Sequence, residues 1–156
     1  MGQPASYAAL LSMERLKELN ARALRRSAQP IHPGQSHFDD AEATLGNAWT
    51  ATMYDVAGEE MPEIVFGSYV LYYFATKQVF PDANKRTGWY AFLDVLATID
   101  VTVNASDDEA AKFVMDIANK VIADVEGIVG WVMPRLVELK RTPVLVPTGA
   151  TKLQSI

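Results

Sequence analysis

The sequence predicts an all-α protein with about six or seven helices. Apolar residues recur at helical spacing through most of the chain, capping residues stand before several of those stretches, and confident strand patterns are almost absent. The 156 residues suit one domain around a single core, and 49% of them are hydrophobic. We therefore expect one helical domain over residues 1–139, followed by a tail at 140–156 that is either disordered or binds a partner.

Composition excludes several classes of protein. No window reaches the roughly 18 uninterrupted apolar residues of a membrane span, and the start has neither the basic region nor the apolar core of a secretion signal. There are no cysteines, which excludes disulfides and thiolate metal sites. The net charge of −5 argues against whole-molecule attraction to nucleic acid, although a local basic patch could still bind phosphate. These features predict a cytoplasmic protein that contacts neither membrane nor nucleic acid directly.

The first third of the chain predicts two amphipathic helices. The first is expected over Ser6–Arg26, with Ser6 as its N-cap and these inward residues: Leu10, Met13, Leu16, Leu19 and Leu24. A loop rich in Pro and Gly follows at 27–38. Asp39 or Asp40 is then expected to cap the second helix, whose inward residues are Leu45, Ala48, Trp49, Thr52 and Met53.

The middle of the chain predicts the centre of the core. Gly58 and Pro62 interrupt the helical pattern in the stretch "VAGEEMPE", residues 56–63. A third helix, from about Glu63 to Thr76, is apolar nearly all round and should therefore be buried. A fourth, Thr87–Ile99, is also largely apolar, and two such neighbours indicate a helical core.

The last third predicts two further helices after a short extended connector at 100–106. Ser106 begins the fifth helix with the capping-box sequence "SDDE". Asp124 is a candidate cap for the last helix, and Pro134 predicts a kink or a break within it. The expected inward residues of that helix are Ile128, Val132, Leu136 and Leu139.

The polar residues that carry chemistry lie between the third and fourth helices, in "KQVFPDANKRTGWYAF", Lys77–Phe92. A helix N-terminus exposes unpaired N–H groups and a partial positive charge, which favour an anion. Asn84, Lys85 and Arg86 would converge there, just before Thr87 as the expected cap, and phosphate oxygens suit that set. Asp82 fits a phosphate site if Mg²⁺ bridges the two, and Phe80 would anchor the loop in the core.

A purely structural interpretation of the same residues is also open. Asp-Ala-Asn is ordinary turn chemistry, and Lys85-Arg86 could be solvated charge. Positive charge at a helix N-terminus is, however, unfavourable by about 0.3–1 kcal/mol. Two cations there indicate that another group compensates them.

The stretch "VFPDANKRT" resembles the core motif of the Fic/Doc family, and of its Doc (death-on-curing) toxin branch in particular. The family pattern is His-x-Phe-x-Asp/Glu-Ala/Gly-Asn-Gly/Lys-Arg, and the residues that match it are Phe80, Asp82, Ala83, Asn84, Lys85 and Arg86. The likeness in helical order covers roughly Ser6–Leu139, but only this motif is specific. The resemblance implies a Fic/Doc-type helical bundle, with which a short β-flap is compatible, and a flap at Tyr54–Ile64 that aligns a target segment.

The resemblance also implies roles for individual residues. Asp82 would hold Mg²⁺ and contribute to catalysis with Lys85, and Phe80 would be structural. The phosphates of ATP would be bound by Asn84, Lys85, Arg86 and Thr87. Most AMP-transferring members have Gly where this chain has Lys85. The Doc branch has Lys there and is associated with phosphoryl transfer from ATP to elongation factor Tu, which blocks translation, and with an antitoxin protein as partner.

Gln78 departs from the family pattern, which has a His there as the general base. An amide has no basic site near neutral pH, and general-base assistance contributes about 10²–10⁴-fold. The two histidines, His32 and His37, lie in the early loop. We therefore expect a protein of toxin lineage whose present form is inactive or impaired, with Gln78 either natural or an inactivating substitution. The alternatives are a catalytically silent nucleotide- or partner-binding pseudoenzyme of Fic fold, and an AMP transferase.

Overall fold

Seven α-helices make up most of the computed structural model over its described residues, 6–25, 38–80 and 83–140. These helices are α1 (Met13–Arg25), α2 (Phe38–Tyr54), α3 (Val56–Glu60), α4 (Pro62–Thr76), α5 (Asn84–Ala97), α6 (Asp107–Ala118) and α7 (Val125–Val132). Two three-residue strands, β1 (Val101–Val103) and β2 (Leu136–Glu138), form an antiparallel ladder. The prediction of an all-α bundle is confirmed. Among the described helices, none is long and apolar enough to span a lipid bilayer.

Helix α4 forms the centre of the bundle. It packs most extensively against α5 and also contacts α2, α3, α6 and α7. Its side chains contribute to two apolar clusters, one shared with α1 and α2 and the other with α6 and α7. The prediction that this helix is buried nearly all round is confirmed, because its buried residues are Ile64, Val65, Phe66, Gly67, Ser68, Val70, Leu71, Phe74 and Ala75.

The contact between α4 and α5 is close because glycine allows it. A Cβ atom built at Gly88 of α5 would lie 2.7 Å from the Cβ of Phe74 of α4. One at Gly67 of α4 would lie 3.1 Å from the ring of Phe92. Both helices therefore approach to a separation that side chains at these positions would prevent.

The first predicted helix is two elements. Ser6 does cap a structure, but it is a 3₁₀ turn at Tyr7–Ala9, and the regular helix α1 begins only at Met13. The hydroxyl of Ser12 accepts a hydrogen bond from the backbone N–H of Arg15 at 3.1 Å. Because serine offers the backbone this alternative to a continuous helix, the chain turns before α1.

Helix α2 differs from its prediction at both ends. It begins at Phe38, so neither Asp39 nor Asp40 precedes it as a cap, and that prediction is wrong. Met53 was expected to face inward but is 54% exposed, and it lies in the last turn of α2. The other predicted inward residues, Leu45, Ala48, Trp49 and Thr52, are buried.

The segment predicted as a loop at Tyr54–Ile64 contains the short helix α3. The carboxylate of Asp55 accepts a hydrogen bond from the N–H of Ala57 at 2.9 Å and so caps this helix. The other carboxylate oxygen accepts one from the hydroxyl of Tyr69 of α4, also at 2.9 Å. Burial, together with this hydrogen bond, raises the pKa of Tyr69 to about 12. One carboxylate therefore starts α3 and holds it against α4.

Gly58 and Pro62 have helical roles in this segment that a loop prediction does not account for. Gly58 is buried within α3, where a Cβ atom would collide with the backbone oxygen of Thr52. Pro62 is the first residue of α4, a position at which its missing N–H costs no helical hydrogen bond. The loop prediction was wrong because Gly can lie inside a closely packed helix and Pro can begin one, as both do here.

The C-terminal elements follow their predicted signals more closely. The capping box at Ser106 is present at the start of α6, and Asp124 caps α7 by accepting from the N–H of Gly127. Pro134 ends the helix, as predicted, in a 3₁₀ turn at Met133–Arg135. Leu136 was expected on that helix but starts β2, where it pairs with Val103. Apart from residue 140, the predicted tail at 140–156 lies outside the described residues.

We expect Gly88→Ala to lower the free energy of unfolding by about 1–3 kcal/mol, because the added methyl group overpacks the contact with Phe74. Gly130→Ala in α7 is the matched control, since a Cβ atom there meets nothing within 4 Å. That control should keep or raise stability by up to about 1 kcal/mol. Urea denaturation of both variants measures the difference, and equal stabilities would contradict the close α4–α5 contact.

Candidate anion-binding loop

Residues 78–87, here called the motif loop, comprise most of the connection between α4 and α5 together with the first turn of α5, and Pro81 and Asp82 lie outside the described residues. Helix α5 begins at Asn84, three residues before its predicted start at Thr87. Its N-cap is Ala83, which has a left-handed backbone with φ of 65° and no side-chain cap. The first helical hydrogen bond runs from the N–H of Thr87 to the oxygen of Ala83 at 2.9 Å. The N–H groups of the turn before it therefore have no acceptor within the helix.

The side chain of Asn84 fixes the shape of the motif loop. Its Oδ1 accepts a hydrogen bond from the N–H of Phe80 at 2.7 Å, and its Nδ2 donates to the oxygen of Phe80 at 2.8 Å. Phe80 itself is 2% exposed, and its ring lies 5.8 Å from that of Phe74. Asn84 therefore uses both polar atoms of its amide on the loop backbone, which anchors the loop to the core through Phe80.

Gln78 is exposed and also contacts Phe80. Its Nε2 donates to the oxygen of Phe80 at 3.2 Å, so that two side-chain amides donate to one carbonyl group. Proline brings no N–H, so the peptide group between Phe80 and Pro81 has only this acceptor. An amide at position 78 can donate in this way but cannot remove a proton near neutral pH.

Arg86 is exposed but contacts the end of α1. Its Nη1 donates to the backbone oxygen of Ala23 at 3.2 Å. Ala23 lies in the last turn of α1, where the helix dipole is negative and a cation is favoured. The protein thus compensates one of the two cations at the start of α5. A guanidinium has five N–H donors, so this bond leaves others for a ligand.

Lys85 is the other cation of this turn and is exposed. Within the described parts of the chain, its ammonium group forms no hydrogen bond or ion pair. A flexible ammonium beside the N–H groups of the first turn of α5 adds to the positive potential there. Lys85 is therefore an exposed cation in the first turn of α5, without a counter-ion among the described residues.

Thr87 lies in the core and away from the loop surface. It is fully buried, and its hydroxyl accepts a hydrogen bond from Nδ2 of Asn20 of α1 at 3.0 Å. Asn20 is itself only 9% exposed and was not singled out by the sequence. The signal that could have revealed it is a lone amide on the apolar face formed by Leu16, Leu19 and Ala23.

Asp82 is the residue to which the resemblance assigns Mg²⁺, and it lies outside the described residues, as do His32 and His37. Across ranges 6–25, 38–80 and 83–140, no group of three or more His, Asp or Glu side chains could hold a metal ion. A site of one carboxylate plus phosphate oxygens needs no such group.

The structure brings Gln78 and Asn84 together at the oxygen of Phe80, leaves Lys85 and Arg86 exposed in the first turn of α5, and buries Thr87 against Asn20. No family model, curated protein or solved structure matches the chain.

We expect Asn84→Ala to destabilise the protein by about 1–3 kcal/mol, because it removes both hydrogen bonds that the Asn84 amide makes with the backbone of Phe80. Asn84→Asp should cost at least as much near neutral pH, since a carboxylate oxygen would then face the Phe80 oxygen. Asn47→Ala, an exposed amide of α2, is the control and should change stability by less than about 0.5 kcal/mol. Chemical denaturation decides, and an Asn84→Ala variant as stable as the wild type would refute this role.

Proposed function

We propose that the motif loop binds the phosphates of ATP with Mg²⁺ and that the chain is a Doc-like member of the Fic/Doc family. The observation that carries the proposal is the start of α5. Its N-cap, Ala83, provides no side-chain acceptor, and the exposed Lys85 lies in the first turn. That turn occurs within the sequence "VFPDANKRT", which has the motif residues in order.

The chemistry of this turn suits a polyphosphate. Backbone N–H groups and the helix dipole favour an anion at the N-terminus of α5. Lys85 adds a point charge, and the free donors of Arg86 add a planar guanidinium. Asn84 contributes by shaping the loop through its bonds to Phe80. Asp82 is the carboxylate proposed to hold Mg²⁺ against the phosphates, as Mg²⁺ usually takes one or two carboxylates with phosphate oxygens.

The proposed activity is ATP-dependent phosphoryl transfer to a hydroxyl of a protein, with elongation factor Tu as the target that the resemblance suggests. In such a role the chain would be the toxin of a cytoplasmic toxin–antitoxin pair and would block translation. Lys85 favours phosphoryl transfer over AMP transfer, because it fills the place where AMP-transferring members have Gly. With Gln78 in place of the family base, the present form is proposed to be inactive or severely impaired.

A second candidate is a catalytically silent protein that binds nucleotide or a partner. The observation favouring it is the hydrogen bond from Gln78 to the oxygen of Phe80. At the position of the family base, this chain has a side chain that supports the loop backbone. In this candidate the loop keeps its affinity for phosphate and performs no transfer.

Gln78→His tests the transferase, because an imidazole supplies the missing proton acceptor. We expect transfer from ATP to rise by about 10²–10⁴-fold. The measurement is labelling of elongation factor Tu with ATP radiolabelled at the γ-position or at the α-position. Gln78→Asn keeps an amide and is the control.

Label from the γ-position supports phosphoryl transfer, and label from the α-position shows AMP transfer. No label from either position with Gln78→His, while ATP still binds, would favour the silent protein.

Lys85→Ala tests ATP binding without catalysis. Loss of a charge-assisted contact to phosphate should weaken binding of ATP with Mg²⁺ about tenfold. Lys112→Ala, an exposed lysine of α6, is the control and should bind as the wild type does. Calorimetric titration measures both variants. Equal affinities for Lys85→Ala and the wild type, or no binding by the wild type, would count against the phosphate site.

A further inference from the structure

Helix α1 contacts one face of α5 through a series of side chains, which runs from Arg86 in the first turn of α5 to Asp94. Arg86 donates to the oxygen of Ala23 at 3.2 Å, and Asn20 donates to Thr87 at 3.0 Å. One turn further along α5, the guanidinium of Arg22 lies 5.0 Å from the ring centre of Tyr90. Positions 86, 90 and 94 of α5 recur every four residues, which places them on one side of that helix.

The far end of this contact is an ion pair between Arg15 of α1 and Asp94 of α5. Arg15 Nε donates to Asp94 Oδ2 at 3.0 Å, and Nη2 donates to Oδ1 at 2.9 Å. This two-bond arrangement fixes direction as well as distance, unlike a contact with a single ammonium. The side chain of Arg15 is 40% exposed and that of Asp94 is 28% exposed, so the pair positions the helices more than it stabilises them.

Near the motif loop, the contact between α1 and α5 is the buried hydrogen bond from Asn20 to Thr87. Asn20 is 9% exposed and Thr87 is fully buried, so a shift of α1 would leave a buried amide or hydroxyl without this partner. The same shift would remove the carbonyl oxygen of Ala23 from Arg86. The orientation of the first turn of α5 therefore depends on where α1 lies along it.

We propose that α1 braces the first turn of α5, with Arg15 and Asp94 as positioning residues for the anion site two turns away. The pair holds α1 so that Asn20 and Ala23 keep Thr87 and Arg86 in place. The effect on a ligand rests on the proposed function, and the effect on the first turn of α5 does not.

Arg15→Met and Asp94→Asn each remove the ion pair, and the exchange variant Arg15→Asp with Asp94→Arg restores opposite charges. Lys112→Met is the matched control, because it removes the ion pair of Lys112 with Asp116 on α6, whose N–O distance is 2.8 Å. Two quantities are measured in each full-length variant: the Kd for ATP with Mg²⁺, and hydrogen exchange of the amides of Thr87 to Trp89.

We expect Arg15→Met and Asp94→Asn to raise the Kd by about three- to tenfold and to speed exchange at Thr87 to Trp89 by a similar factor. The exchange variant should recover part of both, and Lys112→Met should change neither. Equally faster exchange throughout α4 and α5 would indicate a general loss of stability and would overturn the proposal.

The two proposals fail in different ways. If the wild type binds ATP and neither single variant alters the Kd or the exchange rates, the brace is wrong and the phosphate site stands. If the wild type binds no ATP, the phosphate site is wrong, and exchange at Thr87 to Trp89 alone decides whether α1 is a brace.

Discussion

The close packing of α4 against α5 is the constraint on which the rest of the structure depends. The motif loop leaves the end of α4 and enters the start of α5, so the separation of the two helices sets the positions of both its ends. Gly67 and Gly88 allow that separation, and Phe74, Phe80 and Phe92 fill the space around it. Because interiors are close-packed, a shift of one helix would move the loop with it. The packing of the core therefore fixes the position of the candidate site.

Within the loop, side-chain amides satisfy the backbone and leave the start of α5 free of side-chain caps. Asn84 and Gln78 both donate to the oxygen of Phe80, and Arg86 is shared with the end of α1. Asn84 and Arg86, which the sequence predicted as phosphate ligands, therefore also have structural roles. The proposed anion site therefore relies chiefly on the N–H groups of the turn and on Lys85, while Asn84 shapes the loop and Arg86 contacts the end of α1.

The sequence predicted most helices well and the start of α5 poorly, for reasons visible in single residues. Helix α4 was located to within a residue because it is apolar nearly all round. The start of α5 was missed because Ala83 has no capping side chain, whereas Thr87 looked like a cap and is buried. The charges of the site were recognised, but the carbonyl that compensates Arg86 belongs to a residue 63 positions earlier. Contacts of that range depend on packing, which periodicity does not reveal.

Ala83 has a consequence for how this loop can evolve. The left-handed backbone at Ala83 costs most residues with a Cβ atom about 1–2 kcal/mol, whereas Gly, which has no Cβ atom, adopts it readily and Asn and Asp tolerate it. Bulky or branched replacements at this position would therefore be selected against by backbone geometry alone, before any ligand is considered. Glycine would relieve the strain but would also enlarge the unfolded ensemble, so neither choice is free of cost. The backbone at the start of α5 therefore favours Ala, Gly, Asn or Asp at position 83.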